Sequence, residues 1–291
     1  MINIKELSDE ELVYGSLACA GCGGNLALRQ ALKVLGKNTV ITTTACCLMG
    51  VTTFYPQLAF EVPCVTSVFP GTGAVISGVA AGLKRKGKGD VNVVGYAGDG
   101  GTVDIGLQAL SGAMERGDKF IWIAYDNEAY MNTGTQRSGA TPAGAYTTTT
   151  PGGEKRMWED RPKKDMLRIV MDHGIPYAAT ASVAYPKDYM EKVEKAMQVP
   201  GPAYIQVLAP CPPGWGHDTD LTVEMARLAV QTGVWILAEY ENEKLSVTHR
   251  PAKRMPVEEY LKKQGRFAHM GPEEIAVFQA SVDRRWEKYQ V

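Results

Sequence analysis

No apolar run in this chain approaches the roughly 20 residues that cross a bilayer as a helix, so no membrane span is expected. Charge of one sign is missing too: 31 Lys and Arg stand against 32 Asp and Glu, a formal net charge of −1. At that balance neither nucleic acid nor an anionic membrane surface is an expected partner. The opening stretch MINIKELSDEELVYG is acidic and carries no basic segment followed by an apolar core, so no signal peptide is expected and the expected compartment is the cytoplasm. Internal repeats and low-complexity segments are absent. The histidines, His173, His217, His249 and His269, are scattered and are expected as surface or packing residues, with His217 near enough to Cys211 to border a site. The six cysteines do not suggest a disulfide framework in a cytoplasmic chain of 291 residues.

What is present is an alternation. Val40–Ala45, Val91–Ala97, Phe120–Tyr125 and Ala203–Leu208 are short apolar runs suited to strands buried on both faces. Helical patterns separate them at Leu26–Leu35, Ala74–Lys86, Ile105–Glu115, Lys164–Asp172 and Pro186–Met197. The expected fold class is therefore α/β, a mostly parallel sheet with helices on both faces, whose ligands bind beyond the carboxyl ends of the strands. Residues 1–215 are expected to form this domain, with a loop-rich insertion from Asn127 to about Arg161. Residues 216–291 read as an extension: a helical stretch near Leu221–Thr232, a hairpin in WILAEYENEKLSVTH and two amphipathic helices split at Gly271-Pro272. Those helices are expected either as an arm packed on a neighbouring subunit or as a pair folded back on their own domain.

Gly98-Asp99-Gly100-Gly101 follows one predicted strand and precedes a helix. Glycines let backbone N–H groups approach phosphate oxygens, the helix offers its positive end, and the Asp99 carboxylate is the hard oxygen ligand that Mg2+ prefers. Asn127, at the end of the next strand, places a second oxygen donor on the adjacent loop. Together they read as a magnesium diphosphate site.

Cys19 and Cys22 form a C-x-x-C pair in ACAGCGG. Zinc would want a second such pair or paired histidines at short spacing, and neither is present. A redox dithiol would want a preceding strand, and none is evident. Cys46 and Cys47 close one predicted strand and Cys211 another, so thiolates from three segments can meet near the cofactor, and four thiolates suit an iron–sulfur cubane. Cys64 has no pattern partner and reads as a small buried residue.

The stretches GDGGTVDIGLQAL and DNEAYMNTGTQRSGATPAGAYTTTTPGG resemble the β subunit of the 2-oxoacid:ferredoxin oxidoreductases, the pyruvate synthase family. The resemblance runs from the first C-x-x-C to RMPVEEYLKKQGRF. It implies a thiamin diphosphate-binding fold and thiamin diphosphate as the cofactor, bound around Gly98, Asp99, Gly100, Gly101, Asn127, Ala129, Tyr130, Asn132 and Thr133. Asp99, the Asn127 side chain and the Ala129 carbonyl would hold Mg2+, and Cys19, Cys22, Cys47 and Cys211 one 4Fe-4S cluster. Asn132, Thr133, Thr72 and Cys46 would contact the substrate. The implied reaction is oxidative decarboxylation of a 2-oxo acid, pyruvate by default, to acyl-coenzyme A with electrons passing to ferredoxin, or the reverse synthesis. An activating Glu is not identifiable here and would come from an α subunit, so the chain alone is expected to be inactive. A ferredoxin-like subunit with further 4Fe-4S clusters would carry electrons outward. Two departures stand out: TACC replaces the family's T-G-C, and VFPGTGAVISG replaces F-E-N-A-A-A, which opens the choice of 2-oxo acid. A non-redox thiamin enzyme or a non-catalytic cysteine-rich subunit are the competing readings.

Overall fold

In a computed structural model, which describes residues 2–53, 56, 58–150, 152 and 158–289, the four apolar runs become strands in a set of six parallel ones. These are β1 (Thr39–Thr44), β2 (Cys64–Ser67), β3 (Asn92–Gly98), β4 (Ile121–Asp126), β5 (Tyr177–Ser182) and β6 (Ala203–Leu208). An antiparallel hairpin, β7 (Leu237–Glu241) and β8 (Lys244–His249), extends the sheet to the order β2-β1-β3-β4-β6-β5-β7-β8. Strands β4, β5 and β6 are buried along their whole length, as a sheet covered on both faces requires.

The described helices, in chain order, are α1 (Gly23–Leu35), α2 (Cys47–Thr52), α3 (Thr72–Arg85), α4 (Leu107–Arg116), α5 (Met166–Met171), α6 (Pro186–Gln198), α7 (Pro212–Trp215), α8 (Thr222–Gln231), α9 (Glu258–Leu261) and α10 (Pro272–Lys288). On one face α1 packs beside α6, sending Leu28 and Leu32 into a core with Tyr96, Ile123 and Ile205. On the other, α3, α4, α5 and α10 cover Trp122 and Tyr204. Gly73 lets α3 and α4 touch: a Cβ there would stand 2.3 Å from the Ala109 backbone.

Three elements lie outside the sequence expectations. β2 is a half-exposed edge strand, β5 reads YAATAS with no β-branched apolar residue, and α2 starts on the paired cysteines. Of the insertion, Pro151 and residues 153–157 lie outside the described residues. Of the two arrangements expected for the tail, the single chain takes the one folded back on its own domain. The first of its two helices shrinks to the single turn α9, and α10 folds back, burying Phe278, Val282 and Trp286 in the core that holds Trp122. Trp286 Nε1 donates to Gly233 O at 2.9 Å, and Arg285 donates to Val234 O at 2.7 Å. Residue 215 is therefore no break in the core.

Candidate active site

β1, β3, β4 and β6 are consecutive in the sheet, and their carboxyl ends carry, in that order, Cys46 and Cys47, Asp99, Asn127, and Cys211. Parallel pairing puts all four ends on one edge. Residues far apart in the chain thus become neighbours through strand order alone.

Asp99 leaves β3 into a π-helical turn, Gly100–Asp104, and is buried. Its carboxylate accepts from Ser138 Oγ. The amide end of Asn127 lies 2.9 Å from Asp99 Oδ1 and 2.9 Å from Ala129 O. With its nitrogen inward it donates to both; with its oxygen inward, three oxygens face one another, an arrangement that calls for a cation. Burial first, then the charge of Asp126, pushes the Asp99 carboxyl well above the usual carboxylate range, and a divalent cation would reverse that push. This donor set fits a hard metal ion. Gly100 makes room for the neighbouring ring, since a Cβ there would stand 2.2 Å from Tyr130 Cε1.

Beside these oxygens opens a cavity of about 190 Å3 lined by Cys46, Cys47, Met49, Phe69, Gly98, Asp99, Gly100, Gly101, Tyr125, Asn127, Ala129, Tyr130, Met131, Asn132 and Thr133, with Ala45 at its edge. The positions expected at the cofactor all line it. Thr72, expected at the substrate, does not: it starts α3 at 1% exposure, and its hydroxyl has no hydrogen-bond partner. Phe69 takes that place, held by the Thr44 hydroxyl donating to Phe69 O at 2.9 Å and set edge-on to Tyr130 with ring centres 5.9 Å apart. Phe69 stood in the divergent loop already singled out. Ser138, by contrast, carries no signal in the sequence.

All six cysteines are unpaired. Cys22 caps α1, its sulfur accepting from Asn25 N at 3.5 Å, Cys47 is the first residue of α2, and Cys211 caps α7. Helix starts present free N–H groups that favour thiolates and anionic clusters. The C-x-x-C loop is tied to the Cys211 segment by Gly23 N donating to Pro210 O at 3.1 Å. Burial, then Cys211, Cys46 and Cys22, pushes the Cys47 thiol up to about 12, while burial, then Cys46 alone, pushes Cys64 up to about 12. Cys211, Cys46 and Cys22 thus all lie within electrostatic reach of Cys47, and the Cys46 sulfur stands 3.9 Å from the Thr43 hydroxyl. Among the described residues no three such side chains are close enough to share a single metal ion. His217 packs edge-on against Trp215 with ring centres 6.1 Å apart.

Around Asn127 lies a buried ionic group absent from the sequence expectations. Lys163 Nζ stands 2.6 Å from Asp126 Oδ2 and 2.8 Å from Glu128 Oε1, and an Arg266 Nη stands 2.7 Å from Glu128 Oε2. Burial opposes its charge, yet Lys163 and Arg266 hold Glu128 below the usual carboxylate range.

The model of the thiamine pyrophosphate enzyme C-terminal binding domain matches residues 44–207. The chain is 56% identical over 275 residues to the pyruvate synthase subunit PorB of Methanothermobacter marburgensis, covering 94% of this chain and 96% of that protein. It is 51% identical over 287 residues to the ketoisovalerate oxidoreductase subunit VorB of Pyrococcus abyssi, covering 96% and 92%. Among solved structures, a 2-oxoglutarate:ferredoxin oxidoreductase from Magnetococcus marinus shares the fold at a TM-score of 0.59 and 21% identity, over 76% of this chain and 82% of that one.

Proposed function

This chain belongs to the 2-oxoacid:ferredoxin oxidoreductase family as a β subunit, and from that premise we propose that it carries Mg2+, thiamin diphosphate and one 4Fe-4S cluster and acts on pyruvate. The observation that carries the reading is the meeting of Cys47 and Cys211 with Asp99 and Asn127 on four adjacent strand ends. Asp99, Asn127 and the Ala129 carbonyl hold the metal. Gly98, Gly100 and Gly101 bring the backbone up to the diphosphate. When bound, thiamin diphosphate supplies the carbon nucleophile and electron sink that a 2-oxo acid needs to lose CO2. Phe69 and Tyr130 wall the cavity against water, while Asn132 and Thr133 offer hydrogen bonds at its rim and Cys46 borders it. Cys19, Cys22, Cys47 and Cys211 hold the cluster, which when bound supplies a one-electron acceptor.

The cavity lining contains no glutamate, in keeping with an activating Glu from an α subunit. Electrons leave through a ferredoxin-like subunit with further clusters to ferredoxin, coenzyme A takes the acyl group, and the complex works in the cytoplasm. A second reading, 2-oxoisovalerate as substrate, is favoured by the 51% identity to the ketoisovalerate enzyme subunit. The test is dye reduction by the anaerobically purified complex with pyruvate, 2-oxoisovalerate, 2-oxoglutarate, phenylglyoxylate and oxalate, each with and without coenzyme A. Pyruvate is expected to be fastest and coenzyme A-dependent, and faster turnover of 2-oxoisovalerate would select the second reading. Silence from every acid, in a complex that contains iron and thiamin diphosphate, would overturn the assignment.

A further inference from the structure

The buried group of Asp126, Glu128, Lys163 and Arg266 has no part in the chemistry above, yet it surrounds the metal donors. Glu128 sits between Asn127 and Ala129 with φ +70, a left-handed conformation uncommon for a residue with a side chain. Its backbone is held by Glu128 N donating to Asp126 Oδ1 at 3.1 Å and Thr141 Oγ1 donating to Glu128 O at 2.7 Å, and Arg266 holds its side chain. Its guanidinium pairs with Glu128 Oε2 at 2.7 Å and lies 3.7 Å over the ring of Trp215, whose Nε1 donates to Asn127 O at 2.8 Å. One arginine thus grips residue 128 directly and residue 127 through the indole. Arg266 O also accepts from Tyr146 N at 2.8 Å, fastening the same loop further along. The guanidinium is itself oriented by Gln264 Oε1 at 2.9 Å and the Tyr260 hydroxyl at 3.0 Å.

We propose that Arg266, which lies outside the matched cofactor domain of residues 44–207, is a positioning residue for the metal–diphosphate site. It holds the Glu128 turn left-handed so that the Asn127 side chain and the Ala129 carbonyl face Asp99. This rests on the magnesium reading above. Residues that orient metal ligands typically change affinity about 10- to 100-fold when removed.

The rival is simple charge balance, because the group holds two carboxylates and two cations. Arg266→Met leaves a net buried negative charge, whereas Arg266→Met with Glu128→Gln removes one charge of each sign and leaves the Lys163–Asp126 pair. The experiment uses the intact complex stripped of cofactor. It records the thermal midpoint without ligand and the Mg2+ dissociation constant at saturating thiamin diphosphate. The single variant is expected to lose on both counts. The double variant is expected to recover the midpoint and still bind Mg2+ at least about 10-fold more weakly. Binding in the double variant within twofold of wild type overturns the proposal, and so does failure of the double variant to assemble, since the pair would then serve folding. A wild-type complex that binds no Mg2+ overturns the magnesium reading itself, and this inference with it.

Discussion

Two buried charge networks, one on each side of the sheet's midline, use similar parts in opposite ways. At the hairpin side Lys192 donates to Asp188 Oδ2 at 2.7 Å, Thr180 O at 2.9 Å and the Thr248 hydroxyl at 2.9 Å, which uses each N–H of its ammonium. Glu239 accepts from the Tyr177 hydroxyl at 2.9 Å and Lys195 at 2.7 Å. The left-handed residues there, Asn242 and Glu243, form the tight turn between β7 and β8, where that conformation is ordinary. At the cofactor edge, the Asn127 amide end is shared between Asp99 Oδ1 and Ala129 O, a like-charged pair is buried, and the left-handed Glu128 sits in a loop. The first network closes on itself and joins strands to helices. The second meets the cavity where Asp99, Asn127 and Ala129 converge, and the proposed cation would sit there.

The largest expected effect breaks the cavity side at its cysteines. Cys47→Ser is expected to strip the β subunit of iron and stop dye reduction, whereas Cys46→Ser keeps its iron. Iron and acid-labile sulfide analysis decides this, and equal iron in the two variants would sink the ligand assignment. Next, Lys192→Met should cost about 2 kcal/mol of stability, below the usual range for a buried pair because Asp188 is 21% exposed on its side chain. Mg2+ affinity should be unchanged, and weakened metal binding in that variant would mean the two networks are not separate. The smallest effect lies at Cys64, outside both networks. With its thiol pushed from 9.0 up to about 12 by burial and then Cys46, alkylation by iodoacetamide should speed up about tenfold per pH unit from 8 to 11. The raised value favours the protonated fold, so this thiol's contribution to stability is complete below pH 9 and drains away towards 12. A rate that levels off near pH 9 would show an ordinary thiol.

The cavity side was largely legible in the sequence because its parts are local motifs at strand ends. Gly98-Asp99-Gly100 and Asn127 each follow an apolar run, and Cys47 and Cys211 stand just past two further runs that the parallel sheet ends on the same edge. Arg266 was not legible, because its ion pair joins a C-terminal turn to a loop far upstream and depends on tertiary packing. Thr72 misled because it stands in the divergent stretch VFPGTGAVISG, which the resemblance sets near the substrate, yet Phe69 of that stretch lines the cavity and Thr72 is buried away from it. β5 escaped notice because YAATAS forms a strand through burial between β6 and β7, with little propensity of its own.

The most direct test of the cavity-side network is Mg2+ titration, with thiamin diphosphate present, into the cofactor-stripped complex of wild type and of Asp99→Asn. The account predicts one site per β subunit in wild type and at least about 100-fold weaker binding in Asp99→Asn, with a thermal midpoint of the stripped variant no lower than wild type, because a buried carboxyl opposed by Asp126 is removed. Unchanged Mg2+ affinity in Asp99→Asn, or a stripped variant that melts markedly lower, would contradict it.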